Sequence, residues 1–161
     1  MDQLEITKML NDLNIPFRVV EHPAAMTIEE IDRFALPNSE AIAKNLFVRD
    51  DKKKNYYLIT VRKDKKVDLK ELRRQLNSRP LSFASENDLK FYLGLNKGTV
   101  TPLGILNDIA CRVQFVLDQD LTSFPLIGVH PNRNTATLWL SPLNLQALIE
   151  KHGNKVILVK L

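Results

Sequence analysis

The chain has 161 residues, of which 44% are hydrophobic and 26% charged, and its formal net charge at pH 7 is +4. This length and composition predict one globular domain over residues 1–161. No apolar run approaches the roughly 20 residues that a membrane-spanning helix needs, and the first residues lack a signal-peptide pattern. The single cysteine excludes an internal disulfide and is typical of a reducing compartment, so we expect a cytoplasmic protein.

In the first half of the chain, apolar spacing and capping residues predict alternating helices and strands. In order, these are a helix over 3–13, a strand over 17–20, a helix over about 28–35 that ends before Pro37, a helical turn at 38–40, a hairpin of strands 44–49 and 56–62, and a helix from Leu69. Thr27 and Glu30 have the spacing of a capping box, and Asp68 is placed to cap the helix that follows it.

The second half of the chain follows the same alternating pattern. It predicts a helix from Ser85 to Gly94, a strand over 113–117, a turn at 118–120, paired strands over 126–129 and 135–140, a helix over 142–152 and a strand over 156–159. Because helices are interspersed with strand hairpins, the predicted fold is α+β with a mixed sheet.

Positive charge is concentrated in one part of the chain. Residues 44–79 contain 13 lysines and arginines against 5 aspartates and glutamates, a local charge of +8, whereas the remainder carries −4. This asymmetry favours a polyanionic partner, although a solvated pair of strands with a helix would have the same composition.

A glycine-rich segment, residues 94–108, lies between a predicted helix and a predicted strand. It contains three glycines and Pro102. Glycine lets the backbone approach a ligand closely, and such a segment can present a row of N–H groups. An ordinary connecting loop has the same composition, so the functional interpretation depends on two residues elsewhere, Lys44 and His130.

Lys44 and His130 each occupy a position that suits a functional group. Lys44 begins an apolar strand, where a partly buried ammonium needs an anionic or carbonyl partner; a lysine reaching to solvent fits equally well. His130 lies at a strand end before Pro131, and a turn histidine bonded to backbone is the alternative. Both alternatives remain open on these residues alone.

Most standard catalytic motifs are absent from the sequence. There is no Gly-x-Ser-x-Gly motif, and in residues 94–99 the lysine precedes the glycine, which excludes a P-loop. The three histidines lack metal-ligand spacing, so neither a metal nor another cofactor is predicted. Cys111 is expected to be a packed thiol rather than a nucleophile.

Several short motifs occur together in a characteristic order. They are Lys44-Asn45-Leu46-Phe47, Leu81-Ser82-Phe83-Ala84-Ser85, Gly98-Thr99-Val100-Thr101-Pro102-Leu103-Gly104, Asn107-Asp108, and His130-Pro131-Asn132-Arg133-Asn134-Thr135. With these motifs the chain resembles the YbaK/prolyl-tRNA-synthetase-associated editing family, above all its free-standing ProX-type members. Thr99 stands where serine is common in the family. The resemblance covers nearly the whole chain.

The resemblance implies a single α+β domain with a twisted mixed sheet, flanking helices and a central pocket. It also implies metal-free hydrolysis of the ester between a wrong amino acid and the 3′ adenosine of tRNA, in trans, with Ala-tRNA(Pro) as the expected substrate. The residues assigned to catalysis are Lys44, Gly98, Thr101, Gly104 and His130. Those assigned to substrate binding are Met26, Ile28, Leu46, Thr99, Val100, Pro102, Gly128 and Asn132.

Within this interpretation, each group of residues has an expected role. Lys44 holds the terminal phosphate or the reacting ester, the backbone of residues 98–104 grips the aminoacyl group, and His130 orients the terminal adenosine or its ribose. No activated serine or cysteine is evident, so we expect direct attack by water, assisted by a tRNA hydroxyl next to the ester.

The basic segment is then expected to contact acceptor-stem phosphates, which makes binding dependent on salt. The candidate contacts are Lys52, Lys53, Lys54, Lys65, Lys66, Arg73, Arg74 and Arg79. A transient contact with prolyl-tRNA synthetase is a further expectation. A monomer is expected, since no coiled coil is apparent. The alternatives are the same chemistry on Cys-tRNA(Pro) or another aminoacyl-tRNA, a non-catalytic tRNA-binding module, and a small-molecule binding domain.

Overall fold

The structure is a computed structural model that describes residues 1–36 and 38–161. Its α-helices are α1 (Gln3–Asp12), α2 (Ile28–Arg33), α3 (Leu69–Leu76), α4 (Glu86–Leu93) and α5 (Pro142–His152). Each begins after a side chain that accepts a hydrogen bond from a free N–H of the first turn; these capping residues are Asp2, Thr27, Asp68, Ser85 and Ser141. Among the described residues, no helix is both long and apolar enough to cross a membrane.

The strands form two sheets rather than one. They are β1 (Arg18–Glu21), β2 (Ala43–Asp50), β3 (Tyr56–Arg62), β4 (Leu81–Phe83), β5 (Val113–Asp118), β6 (Ile127–Val129), β7 (Ala136–Leu140) and β8 (Val156–Val159). The larger sheet has the order β4-β2-β3-β5-β8 and is mixed, because β3, β5 and β8 are parallel while β2 is antiparallel to both of its neighbours. The smaller sheet, β1-β7-β6, is antiparallel. An isolated parallel bridge pairs Ile42 with Gly128 between them.

The two faces of the larger sheet pack against different partners because successive side chains of a strand point to opposite faces. Phe47, Leu58 and Phe115 belong to the main core, which also contains buried residues of the smaller sheet and of α1, α4 and α5. Val48 and Ile59 face the other side, where α3 covers them with Leu72. A third cluster contains Ile31 of α2, Ile42 and Trp139 of β7. Burial of each such side chain stabilises the fold by about 1.5–3 kcal/mol.

The predicted α+β class and mixed sheet are confirmed, with three local differences. Strand β4 was not predicted because three residues give too little alternation to recognise. Pro102–Asn107 form a 3-10 helix where a loop was expected. The capping box at Thr27 is half formed, since Glu30 accepts its hydrogen bond from the N–H of Met26. Pro37, the predicted stop of α2, lies outside the described residues.

Candidate functional site

A small cavity, which we call the first cavity, lies where the two sheets meet. Its volume is about 220 Å³, below the roughly 300–1,000 Å³ typical of small-molecule sites. Its walls are formed by Ala25, Met26, Thr27, Ile28, Ile31, Ile42, Ala43, Lys44, Asn45, Gly98, Val100, Gly128, Val129, His130 and Thr137. Lys44 carries the one full charge among the described wall residues, and most of the others are apolar or glycine. The cavity therefore suits a small, largely apolar group next to one cation.

His130 brings a hydrogen-bond acceptor to the wall. Its Nδ1 lies 3.2 Å from the carbonyl oxygen of Ala136, which can only accept, so Nδ1 carries the proton and Nε2 has the lone pair. Burial lowers the pKa of His130 below its ordinary value, the hydrogen bond to Ala136 opposes this only in part, and the nearby His22 lowers the pKa further. The Thr101 hydroxyl donates to the backbone carbonyl of His130 at 2.6 Å and fixes the position of the residue. His130 is therefore neutral at physiological pH.

The lowered pKa of His130 predicts a pH-dependent stability. The unfolded chain binds a proton near the ordinary histidine pKa of 6.5, whereas the folded chain binds it only at lower pH. The free energy of unfolding should therefore fall as the pH drops from 6.5 through the folded pKa, by at most about 1.4 kcal/mol per pH unit. Urea unfolding of the wild type and of His130→Asn between about pH 7.5 and 5, a range that brackets the titration of histidine, measures this. Equal slopes for the two proteins would contradict the prediction.

Lys44 is held in place by a second lysine. Its ammonium donates to the backbone carbonyl of Lys65. The Lys65 ammonium in turn lies 2.7 Å from Asp118, 2.6 Å from Asp120 and 2.7 Å from the carbonyl oxygen of Leu161. Burial opposes the charge of Lys65, but the hydrogen bonds that its ammonium donates to the two carboxylates outweigh this effect, and its pKa is raised. A fixed ion cluster therefore supports the cationic wall of the first cavity.

Two glycines make room for the first cavity. Gly98 has a φ of +85°, and a Cβ there would lie 2.4 Å from Cε of Met26. A Cβ on Gly128 would lie 2.9 Å from the indole ring of Trp139 and 2.9 Å from Cγ2 of Thr137. A larger side chain at either position would displace a wall of the cavity.

The structure brings together about half of the residues that the sequence assigned to the site. Seven of them line the first cavity: Met26, Ile28, Lys44, Gly98, Val100, Gly128 and His130. Their placement agrees with the assignment, while their individual roles stay predictions.

The remaining assigned residues lie outside the described wall of this cavity. Thr101, Pro102 and Gly104 are buried behind it, where Thr101 supports His130 and a Cβ on Gly104 would meet Leu95 at 2.5 Å. Thr99 bonds to the backbone of Asn96. None of these four residues lies in the described wall, and their assigned roles stay predictions.

Asn132 and Leu46 are also placed differently from the prediction. The amide of Asn132 donates to the backbone carbonyl of Met1 at 2.9 Å, so it anchors the first residue of the chain. Leu46 lines a neighbouring cavity and packs against the cluster that α3 covers.

Sequence reasoning did not assign eight residues of the described wall, which are Ala25, Thr27, Ile31, Ile42, Ala43, Asn45, Val129 and Thr137. Thr137 is held by His22, whose Nε2 lies 2.9 Å from its hydroxyl and whose ring stacks on Phe34 at 5.5 Å. Asn45 directly follows Lys44 in the motif of residues 44–47, and this position could have identified it as a wall residue. Nothing in the local sequence around Thr137 distinguishes it from an ordinary strand residue.

The predicted phosphate-binding residues fall into three groups. Lys52, Lys53, Lys54, Lys66 and Arg73 are exposed. The assignment of Lys65 to phosphate binding is corrected, since only 12% of its side chain is exposed and two carboxylates hold its ammonium.

The other two residues are exposed but paired. Arg74 bonds to Glu71, and Arg79 forms a bidentate pair with Asp51 at 2.6 and 3.0 Å. Among the residues that the structure describes, no group of three or more histidine, cysteine or acidic side chains is arranged to hold a metal.

Comparison with known proteins identifies the family. The family model of the aminoacyl-tRNA editing domain matches residues 22–148, which include every described wall residue of the first cavity. The chain belongs to the aminoacyl-tRNA editing domain family. The first cavity is therefore the candidate active site of an editing domain, and Lys44 and His130 are its candidate functional groups.

Similar proteins cover nearly the whole chain. The prolyl-tRNA editing protein ProX of Acetoanaerobium sticklandii is 43% identical over 145 residues, which are 90% of this chain and 88% of that protein. The prolyl-tRNA synthetase associated domain-containing protein 1 of Mus musculus is 36% identical over 159 residues, which are 96% of this chain and 94% of that protein. A solved structure of a candidate trans-editing enzyme for prolyl-tRNA synthetase superimposes with a TM-score of 0.75 at 25% identity, over 99% of this chain and 96% of the other.

Proposed function

We propose that this protein hydrolyses, in trans, the ester bond of mischarged Ala-tRNA(Pro) and releases alanine and free tRNA. The carrying observation is the first cavity, which is small, mostly apolar and bordered by one lysine and one neutral histidine. The 43% identity to a prolyl-tRNA editing protein supports tRNA(Pro) as the carrier of the substrate. We further propose that residues 1–161 form one editing domain.

The limited selectivity of a proline-binding synthetase site explains the need for such an enzyme. A synthetase site shaped for proline excludes the smaller alanine poorly, because missing methylene groups change binding by only about 1–3 kcal/mol each. A second site that is too small for proline removes the error. The first cavity supplies this size limit through Met26, Ile28 and Ile31 on the side of α2.

Substitution of Met26 should relax the size limit of the first cavity. Its side chain is 53% exposed, lines the cavity and closes against Gly98. Met26→Ala should enlarge the cavity and raise the rate of Pro-tRNA(Pro) deacylation by roughly tenfold while Ala-tRNA(Pro) is still hydrolysed. Single-turnover rates on both substrates measure this. Leu4→Ala, which removes an exposed side chain from α1, is the matched control. An unchanged ratio of the two rates would remove Met26 from the size limit.

The reaction that we propose uses water as the nucleophile. Among the described wall residues there is no serine or cysteine, and the hydroxyls of Thr27 and Thr137 already bond to Glu30 N–H and His22. Water adds to the ester carbonyl carbon, and Lys44 stabilises the negative charge that develops on the carbonyl oxygen. The neutral Nε2 of His130 accepts a hydrogen bond from the ribose or the water. The bond between the carbonyl carbon and the ribose oxygen then breaks, and the ribose oxygen takes up the proton that the water releases. A tRNA hydroxyl next to the ester helps to activate the water.

For the rest of the tRNA, we propose contacts with phosphates by the exposed basic residues. These are Lys52, Lys53, Lys54, Lys66 and Arg73, with Arg74 and Arg79 able to join if their exposed ion pairs open. We also propose that the protein acts in the cytoplasm as a monomer and contacts prolyl-tRNA synthetase only transiently. The name of the mouse relative supports an association with the synthetase.

Single-turnover deacylation of Ala-tRNA(Pro), Pro-tRNA(Pro) and Cys-tRNA(Pro) by the wild-type protein tests the proposed function. Rapid loss of alanine alone is the expected result. A preference for cysteine would keep the reaction and change the substrate. Tight binding of tRNA without hydrolysis of any ester would overturn the proposal in favour of a tRNA-binding module.

A further inference from the structure

A second cavity lies beside the first and is larger, about 590 Å³. The two share Asn45 and Val100, so only one layer of residues separates them. The walls of the second cavity are Asn45, Leu46, Phe47, Phe83, Ala84, Ser85, Glu86, Leu89, Lys97 and Val100. The proposed hydrolysis of an aminoacyl ester assigns no role to this space.

Phe83 is the distinctive residue of the second cavity. It lies on the edge strand β4 with 61% of its surface exposed, although Phe is usually buried. Leu89 and Phe47 are buried beside it and give the cavity an apolar floor. The two charged residues, Lys97 and Glu86, have opposite signs, so the cavity has no net charge with which to attract a phosphate. These features suit a flat, uncharged aromatic group.

We infer that the second cavity binds the adenine base of the tRNA 3′ end, stacked on Phe83. This rests on the proposed function, because an aminoacyl group in the first cavity is joined through one ribose to the terminal adenine. The neighbouring cavity is therefore within reach of that base. Proteins bind unpaired bases by stacking them on aromatic side chains and by hydrogen bonds to their edges.

Asn45 provides the hydrogen bond to the base edge. The Thr60 hydroxyl donates to Asn45 Oδ1 at 2.6 Å, which fixes the amide and leaves its two Nδ2 hydrogens as donors. The ring nitrogens of adenine are acceptors and match these donors. Because Asn45 borders both cavities, it holds the base in one while the ester enters the other.

The test compares three alanine esters of increasing size: the 3-O-alanyl ester of methyl β-D-ribofuranoside, which has the hydroxyl next to the ester but no base, 3′-O-alanyl-adenosine, and the alanyl ester of the dinucleotide CpA. The wild type should prefer the adenosine ester to the methyl riboside ester by about tenfold or more in kcat/KM. Phe83→Ala should remove that preference and leave hydrolysis of the methyl riboside ester unchanged, while Phe83→Tyr should keep it. Phe91→Ala, which removes an exposed phenylalanine on α4 outside both described cavities, is the matched control.

Three outcomes would overturn the inference. The Phe83→Ala protein could resemble the wild type on all three esters, or it could lose activity on all three equally. A loss that appears only with CpA would also overturn it, because it would assign the cavity to the preceding cytosine. Thermal melting shows that the variants are folded.

A binding experiment separates this inference from the proposed function. The trinucleotide CCA is titrated into the wild type, Phe83→Ala and Phe91→Ala, and chemical shifts of the protein are followed. If the wild type hydrolyses no ester, the proposed function fails, but a loss of CCA binding specific to Phe83→Ala still supports the base site. Equal CCA binding by all three proteins would overturn the base site and leave the proposed function standing.

Discussion

Lys44→Ala is expected to lower the single-turnover rate of Ala-tRNA(Pro) deacylation by about 100-fold or more. Removal of one preorganised group that stabilises developing negative charge typically has an effect of this size. Lys44 is the only residue with a full charge among the described wall residues of the first cavity, so no neighbour in that wall replaces it. Its three N–H donors also permit a contact with substrate while one of them bonds to the Lys65 carbonyl.

The controls for Lys44→Ala separate charge from folding and from general tRNA binding. Lys66→Ala removes a lysine that is exposed and lies outside both described cavities, and it should keep nearly the wild-type rate. Melting temperatures of the two variants show whether the fold is intact. A Lys44→Ala protein within about threefold of the wild-type rate, at saturating enzyme, would remove Lys44 from the reaction.

Asp118→Ala is expected to lower the free energy of unfolding by about 3–5 kcal/mol. The Asp118 side chain is fully buried, and it also accepts from the N–H of Asp120 at 3.1 Å, which caps a 3-10 helix. Its loss leaves the largely buried Lys65 ammonium with one partly exposed carboxylate, and breaking such a pair typically has a cost of this size. Since domains have a total stability of about 5–15 kcal/mol, the change is large.

Urea denaturation of the purified variants measures this loss. Asp51→Ala, which breaks the exposed pair with Arg79, is the control and should change stability little. The double variant Lys65→Met/Asp118→Leu should be more stable than Asp118→Ala, because it leaves no buried charge without a partner. If Asp118→Ala unfolded at the same urea concentration as the wild type, the cluster would have no structural importance.

Local rules account for the parts of this fold that the sequence predicted. Ser85 and Ser141 mark helix starts through their own hydroxyls, and Gly94 and Gly153 mark helix ends through positive φ. These signals lie within a few residues of the element that they define, so one sequence is enough to find them. The hairpin of β2 and β3 was predictable for the same reason.

The features that were missed depend on residues far apart in the chain. Lys65 was assigned to RNA because it lies in a basic run, but its partner Asp118 belongs to a strand distant in sequence. Thr101 was assigned to the site because it belongs to a motif, and nothing in the sequence indicates that its hydroxyl donates to the carbonyl of His130. The motifs thus located the neighbourhood of the site, while contacts between distant segments decide which side chains face the cavity.

The bridge between Ile42 and Gly128 has a consequence for accuracy in translation. Both residues line the first cavity. Among the described residues, their isolated bridge is the backbone pairing that joins one sheet to the other. A cavity that separates alanine from proline by volume does so only as sharply as its walls resist being pushed apart. Under the proposed function, the error rate of editing depends on the stiffness of this junction. Substitutions that loosen the packing of Trp139 behind Gly128 would make the enzyme less discriminating without altering any residue that touches the amino acid.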